Sequence, residues 1–241
     1  MSPNRFELTS WTMVLALQTT DGPRRAEALA RLCEAYWAPI YAFVRRTGQS
    51  PENAADLTQA FFLHLLEQER AFAAVDRSLG RFRTFLLAAL RHFLSNERDR
   101  TATLKRGGGW SRVPFEPVDL ERKYTAMRSA DLDPEQVFDR HWAATLLERA
   151  LARVGAQEIA AGRERQFAAL SGYLTSEGVD HGHGGYREVA AALGTTETAL
   201  RAAVHRLRQR LGAALRDEVV DTVGDRSAAD AELRHLLALL G

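Results

Sequence analysis

The spacing of apolar side chains is the feature of this sequence that most constrains its fold. Apolar residues recur every three or four positions through most of the 241 residues, and alternation of the kind found in strands never persists beyond about four residues. Glycine and proline concentrate in a few breaks, at 21–23, 48–51, 107–109 and 178–185. The pattern therefore predicts an all-α protein made of helices separated by short breaks.

The stretch from about 101 to 134 interrupts this helical pattern. It has mixed charge, three consecutive glycines, and prolines at 114 and 117, which is typical of a linker between domains. The sequence thus predicts two small helical domains joined by a long linker. The predicted divisions are an N-terminal domain at 1–100, a linker at 101–134, a C-terminal domain at 135–216 and a helical tail at 217–241.

The tail carries leucines at helical spacing, and acidic residues accompany them. We expect this helix to dock on its own chain rather than on a membrane, because it has no basic face. The leucines are Leu233, Leu236, Leu237 and Leu240.

The charges nearly cancel, since 32 Lys and Arg face 31 Asp and Glu. Any nucleic-acid site must therefore come from local clustering of basic residues. The longest apolar run, Phe85 to Leu90, is far below the ~18–20 residues that span a bilayer. No membrane partner is expected.

Cysteine and histidine usage argues against metal sites. Cys33 is the only cysteine, so neither an intrachain disulfide nor a cysteine zinc cage can form, and a reducing cytoplasm fits. We expect Cys33 to be a small buried hydrophobe. His181 and His183 lie in a glycine loop without a third ligand at suitable spacing, which favours a surface loop over a metal site.

The clearest motif lies at 186–211, which reads YREVAAALGTTETALRAAVHRLRQRL. Gly194 breaks a short helix, and Thr195 or Thr196 is placed to cap the next one. In that second helix an apolar stripe falls within an arc of roughly 40°, while Thr198, Arg201, His205 and Arg208 point to the other side. The stripe consists of Leu200, Val204, Leu207 and Leu211. Two helices around a tight turn, the second with a basic face, are typical of a DNA-binding helix-turn-helix, although an ordinary helical hairpin has the same pattern.

A second motif lies at 50–67, which reads SPENAADLTQAFFLHLLE. Ser50 is placed to cap a helix that begins at Pro51. Leu57, Phe61 and Leu65 form an inward stripe. A separate stripe mixes acid, amide and leucine, which is typical of a surface for a partner protein. It consists of Asp56, Gln59, Ala60, Leu63 and Glu67.

A third motif lies at 79–100, which reads LGRFRTFLLAALRHFLSNERDR. From Arg91 to Arg112 there are six basic residues and two acids, although the whole chain is near neutral. Phe82 and Phe85 precede this basic segment, and Phe93 lies within it. Basic charge near aromatic rings can hold a phosphate backbone and stack unpaired bases, although the phenylalanines can equally be core.

The three motifs in this order resemble those of extracytoplasmic-function sigma factors, which are small promoter-recognition subunits of bacterial RNA polymerase. The motifs are AADLTQAFFLHLL, GRFRTFLLAALRHFLSNERDR and YREVAAALGTTETALRAAVHRLRQRL, about a quarter to a third of the chain. The resemblance implies as partners the bacterial RNA polymerase core and promoter DNA, both double-stranded and as the melted non-template strand. It also implies that the linker threads toward the RNA exit path.

The resemblance implies roles for individual residues. Residues that would dock on the polymerase are Asp56, Gln59, Phe62 and Leu63. Those that would engage the melted strand at the −10 element are Arg81, Phe82, Arg91, His92, Asn96 and Arg100. Those that would read or anchor the −35 element are Thr196, Thr198, Arg201, His205, Arg206 and Arg208. Related branches are controlled by Ser/Thr kinases or anti-sigma proteins, so Thr58 is a candidate phosphorylation site. The helical wheel nevertheless places Thr58 on the apolar side.

The sequence departs from the family pattern at several of these positions. Alanine stands at positions 55 and 60, where the family often has an acid, so attraction to a basic clamp surface should be weaker. His92 replaces a usual asparagine. Ala199 and Ala202 replace a usual threonine and serine at the start of the recognition helix. The long linker and tail suggest built-in control.

Two other function classes remain open. A stand-alone helix-turn-helix regulator with a sensing or dimerising N-terminal domain would need neither the stripe at Asp56 nor the basic stretch at 91–106. An all-helical enzyme would need a nucleophile motif, paired carboxylates or a phosphate-cradling loop, and none is evident. Lys105–Gly109 follows no strand and opens no helix. We therefore expect a protein that is not an enzyme and needs no cofactor or metal.

Overall fold

The computed structural model describes residues 23–67, 82–103, 117–175, 185–223 and 226–240, and these residues form ten helices and no strand. The prediction of an all-α protein is confirmed. The helices are α1 (Pro23–Arg46), α2 (Pro51–Glu67), α3 (Phe82–Thr103), α4 (Pro117–Ala126), α5 (Pro134–Ala160), α6 (Glu164–Leu170), α7 (Gly172–Thr175), α8 (Tyr186–Ala192), α9 (Glu197–Val223) and α10 (Arg226–Leu240).

The chain forms two compact units. One, called here the N-terminal unit, consists of Met1–Thr145 and Val220–Gly241, and the other, the C-terminal unit, consists of Leu146–Val219. The segment 101–134, interpreted from the sequence as a linker, contains the end of α3 and the whole of α4. The domain boundaries at 100 and 135 stay a prediction.

Local sequence signals explain where several helices begin. The hydroxyl of Ser50 accepts a hydrogen bond from the backbone N–H of Asn53 at 3.2 Å, so Ser50 caps α2 as predicted. Gly48, with a φ of +92°, ends the preceding turn, a conformation that favours glycine. Asp133 caps α5 by accepting from the Gln136 N–H at 2.8 Å, while the Gln136 side chain accepts from the Asp133 N–H at 3.0 Å.

Aromatic side chains of α1 fill the core of the N-terminal unit. The buried ring of Tyr36 meets Phe82 edge-on at a centroid distance of 5.4 Å and stacks on Trp142 at 6.4 Å. On the adjoining side of α1, Trp37 stacks on Phe62 at 5.1 Å. Rings at such distances bury large apolar areas and hold α1, α2, α3 and α5 together. Cys33 is buried, and burial raises the pKa of its thiol to about 12, as expected of a hydrophobe.

An ion pair fastens α4 to α1. The Glu121 carboxylate accepts hydrogen bonds from the Tyr41 hydroxyl at 2.6 Å and from Arg45 Nε and Nη2, both at 2.8 Å. These donors hold the pKa of Glu121 below its usual range, with the Arg45 hydrogen bonds as the main cause. The Arg45 guanidinium also lies 5.1 Å from the ring centroid of Tyr124. Part of the segment interpreted as a linker is therefore a packed element of the N-terminal unit.

The tail helix α10 packs within the N-terminal unit, as expected for docking on its own chain. Ala229, Glu232 and Leu236 form its buried face. Leu237 is 46% exposed, so the buried face of α10 does not coincide with the stripe of leucines predicted from the sequence.

Acid should destabilise the N-terminal unit through His141. This residue is 4% exposed, its ring stacks on Tyr124 at 6.2 Å, and its Nε2 has no hydrogen-bond partner among the described residues. Burial, followed by the charges of Arg140 and Lys123, lowers the pKa of His141 to about 4. An unfolded histidine takes up a proton near pH 6.5, so the free energy of unfolding should fall by about 2 kcal/mol from pH 7 to pH 5.

The variant His141→Phe keeps a ring against Tyr124 but cannot take up a proton. We expect the extra loss of stability at pH 5 to disappear, as measured by urea unfolding at both pH values. The exposed control His92→Gln should retain it. An equal decline in wild type and His141→Phe would refute the assignment.

Candidate functional site

The turn between α8 and α9 has the geometry that the sequence predicted. Gly194 adopts a φ of +63°, and the N–H of Thr195 donates to the carbonyl of Ala190 at 2.9 Å. Such a bond closes a helix end around a left-handed glycine. Thr196 then caps α9, since its hydroxyl accepts from the Ala199 N–H at 3.2 Å. Of the two threonines considered, Thr196 is the cap.

The apolar stripe of α9 faces inward. Leu200, Val204, Leu207 and Leu211 are each at most 5% exposed. A stripe buried along three turns fixes the rotation of the helix about its axis, because any rotation would expose leucine. The opposite side chains therefore point to solvent. They are Thr196, Thr198, Arg201, His205, Arg206 and Arg208, and all six are exposed.

Neighbouring groups hold two of the exposed arginines in place. Arg201 donates to Glu197 at 2.6 and 3.1 Å, and its guanidinium lies 5.1 Å from the ring centroid of Tyr186. Arg208 donates from Nε and Nη2 to the Tyr173 carbonyl at 3.1 and 2.7 Å. The rings of Tyr173 and Tyr186 stack at 4.8 Å. The sequence did not point to this pair of tyrosines, which contacts Arg201 and Arg208 and so orients two side chains of the basic face.

A buried carboxylate anchors α9 in the C-terminal unit. Glu158, near the end of α5, is 3% exposed and accepts hydrogen bonds from Arg163 at 2.6 and 2.9 Å and a further one from Arg210 on α9. Arg210 also donates to the Gln157 side chain at 2.9 Å. The bonds from Arg163 and Arg210 lower the pKa of Glu158 to about 2. Glu158 therefore holds Arg210 in an internal ion pair, which keeps this arginine from the exposed basic face and fixes α9 at its middle.

An open cleft of about 370 Å³ lies beside the turn that precedes α9. Its lining residues are Gly162, Arg163, Arg165, Gln166, Leu193 and Thr195. Arg165 reaches the Ala192 carbonyl at 3.4 Å. The cleft thus adds basic character next to the N-terminus of α9, and no sequence motif indicated it because its residues come from separate segments.

On α2 the predicted docking residues divide into two groups. Asp56 is exposed, and Gln59 and Leu63 are half-buried, so these three lie at the surface. Phe62 is 3% exposed and stacks on Trp37, so its ring belongs to the core. Thr58 is fully buried, and its hydroxyl donates to the Ala54 carbonyl at 2.7 Å. A kinase could reach Thr58 only if the helix moved, and its phosphorylation stays a prediction.

On α3 the predicted −10 residues also divide. Arg91, His92 and Asn96 are exposed, and Arg91 forms an ion pair with Glu135 of α5. Phe82 is fully buried against Tyr36, so its ring packs in the core and is closed to a base in this structure. Arg81 and the side chain of Arg100 lie outside the described residues.

Two further findings bear on ligands and membranes. Among the described residues, no group of three or more His, Cys, Asp or Glu could hold a metal ion. His181 and His183 lie outside the described part of the chain. Within that part, no helix combines the length and apolar character needed to cross a bilayer.

Removing the Glu158 charge should destabilise the C-terminal unit. We expect Glu158→Gln to lower the free energy of unfolding by about 1–3 kcal/mol, because charge-assisted hydrogen bonds from two arginines are lost. The pKa of Glu158 is depressed, so its contribution should be complete above about pH 4.5 and lost as the pH falls through about 2. Urea unfolding at pH 7 tests this, with exposed Glu164→Gln as the control. Equal stabilities for the two variants would contradict it.

Comparisons with protein-family models, with curated proteins and with solved structures give no match to this chain. The three sequence motifs and the geometry of the described residues are therefore the features that bear on function.

Proposed function

We propose that this chain is a sigma factor of the extracytoplasmic-function type, a subunit that binds core RNA polymerase and directs it to promoters. The observation that carries the proposal is the α8–α9 pair. One face of α9 is locked by a buried leucine and valine stripe, and the opposite face presents three arginines and a histidine to solvent.

The exposed face of α9 suits duplex DNA. The major groove admits an α-helix, and an arginine can donate two hydrogen bonds to a guanine edge or contact a phosphate. Arg201 and Arg206 lie near the start of α9, the part of a recognition helix that reaches the bases. The interaction of Arg201 with Glu197 and Tyr186 limits its rotamers, so less conformational entropy is lost when it binds.

The N-terminal unit supplies two different surfaces for this function. On α2, Asp56, Gln59 and Leu63 combine an acid, an amide and a leucine, as expected of a docking site on the polymerase. On α3, Arg91, His92 and Asn96 offer cationic and polar groups to a single strand. Phe62 and Phe82 have no part in these surfaces, because both rings are buried.

Weak individual contacts would be sufficient in this function. Once the N-terminal unit is docked on polymerase, the −35 contact becomes effectively intramolecular, and the local concentration of DNA site and helix rises into the millimolar range. A protein that acts through polymerase therefore does not need tight DNA binding by itself.

The decisive experiment mixes the full-length protein with bacterial core polymerase and follows co-elution by size-exclusion chromatography. A stable complex supports a sigma factor. Duplex binding without any complex would instead favour a stand-alone helix-turn-helix regulator, and absence of both would reject the two proposals together.

Arg201→Ala should weaken binding to duplex DNA by about 1–3 kcal/mol if Arg201 contacts a base. The duplex is the best binder recovered from a randomised pool, and affinity is measured by fluorescence anisotropy at fixed salt concentration. Arg216→Ala serves as the control, because Arg216 lies on the same helix about 22 Å further along. Equal losses in both variants would mean that only general charge matters.

Asp56→Ala should weaken association with core polymerase about twofold to fivefold, the effect of losing one exposed charge pair. Sequence preference for duplex DNA should be unchanged, since Asp56 and the exposed basic face of α9 lie in different units. The control is Asp131→Ala, which removes an exposed acid outside α2. Unchanged polymerase affinity in Asp56→Ala would remove α2 from the docking surface.

A further inference from the structure

Two arginines along one edge of α3 form ion pairs with carboxylates from two other helices, α5 and α10. Arg83 Nη1 lies 3.0 Å from Glu232 Oε1 of α10 and 3.3 Å from Asp139 Oδ1 of α5. Two turns further along α3, Arg91 pairs with Glu135 of α5. All five residues belong to the N-terminal unit, which also carries the proposed single-strand surface.

These acids interact with the arginines as a nucleic-acid backbone would. A carboxylate and a phosphate each bring a negative charge to the planar guanidinium. At Arg83 the acids act through ion pairing, because its Nη1 makes no hydrogen bond to a described residue. Arg83 and Arg91 are eight residues apart, so they stand about 12 Å apart along the axis of α3. Two anionic groups about this far apart along the helix can therefore meet both guanidiniums.

The arrangement carries more negative than positive charge. Among the described residues, three carboxylates face two guanidiniums, and His235 Nε2 lies 3.9 Å from Asp139 Oδ2. Glu232 is 2% exposed and Arg83 is 8% exposed, so the charges at this end are taken out of water. Burial raises the pKa of Asp139 against the lowering effect of Arg83. A buried ion pair contributes little net stability compared with apolar side chains, but a buried guanidinium that loses its acids needs another anion in their place.

One contact of Arg83 does not depend on the acids. Its guanidinium lies 5.0 Å from the ring centroid of Trp142, which is itself buried. A cation held over an aromatic face keeps its position when an anionic partner leaves. Arg83 would thus remain oriented toward a replacement ligand.

We propose that Glu135, Asp139 and Glu232 act as an internal mimic of the nucleic-acid backbone, which single-stranded DNA must displace from α3. Through Glu232, the tail helix α10 lowers the affinity of the N-terminal unit for a single strand. This inference rests on the proposed function, because it assigns the edge of α3 to the melted promoter strand.

The test uses full-length protein and a fluorescein-labelled oligonucleotide of twenty thymidines, with binding followed by anisotropy. Glu135→Gln should bind about twofold to fivefold tighter than wild type, the factor that one exposed ion pair supplies. Glu135 is exposed, so this substitution should leave the fold intact. The control is Asp119→Asn, which breaks the exposed Asp119–Arg122 pair on α4 and removes the same charge.

A second variant tests the tail. Glu232→Gln should also bind the oligonucleotide tighter, and urea unfolding reports whether the N-terminal unit remains folded. Adding Arg91→Ala to Glu135→Gln should abolish the gain of that variant. An affinity equal to wild type in Glu135→Gln, or an equal gain in Asp119→Asn, would overturn the inference.

The outcomes separate this inference from the proposed function. If the protein forms a complex with polymerase but Glu135→Gln has no effect on single-strand binding, the mimic is rejected and the sigma-factor proposal stands. If neither wild type nor variants bind polymerase or any DNA, both are rejected.

Discussion

Pairing of arginine with buried or half-buried carboxylates is the interaction on which this structure depends. Glu121, Glu158 and Glu232 each lie where one helix packs on another, and each is met by an arginine from a different element. A carboxylate removed from water without such a partner would cost several kcal/mol or take up a proton. These pairs therefore decide which helices pack together, in addition to the aromatic core around Tyr36.

The same pairing limits which arginines remain available to bind a nucleic acid. The chain is nearly neutral, so an arginine that holds a structural carboxylate can bind a nucleic acid only after that carboxylate is displaced. On α9, Arg210 is used by Glu158, whereas Arg201 and Arg206 stay at the surface. On α3, Arg83 and Arg91 are both engaged by acids. The two proposed DNA surfaces differ in this respect, since the acids that meet Arg83 and Arg91 come from other helices, whereas the acid that meets Arg201 is Glu197 of α9 itself.

Local patterns in the sequence were sufficient for the all-α class and for the starts of α2 and α9, but α4 lies in the segment predicted to be a linker. The caps at Ser50 and Thr196, the glycine turn at Gly194 and the buried stripe of α9 follow from interactions between residues a few positions apart. Side-chain roles on the N-terminal unit were less predictable. Phe62 and Phe82 were assigned to surfaces from a family resemblance, and both rings are in the core because α1 packs against them.

The sequence by itself determined the all-α class, the rotation of α9 about its axis and the basic character of its outer face, because helical periodicity and capping depend on neighbours along the chain. Only the tertiary structure decided that α4 packs within the N-terminal unit, that Glu232 meets Arg83, and which arginines remain at the surface. Residues 83 and 232 are 149 positions apart, and no local pattern encodes which carboxylate a guanidinium will meet. That choice depends on how the helices are packed, which is set by the whole core at once.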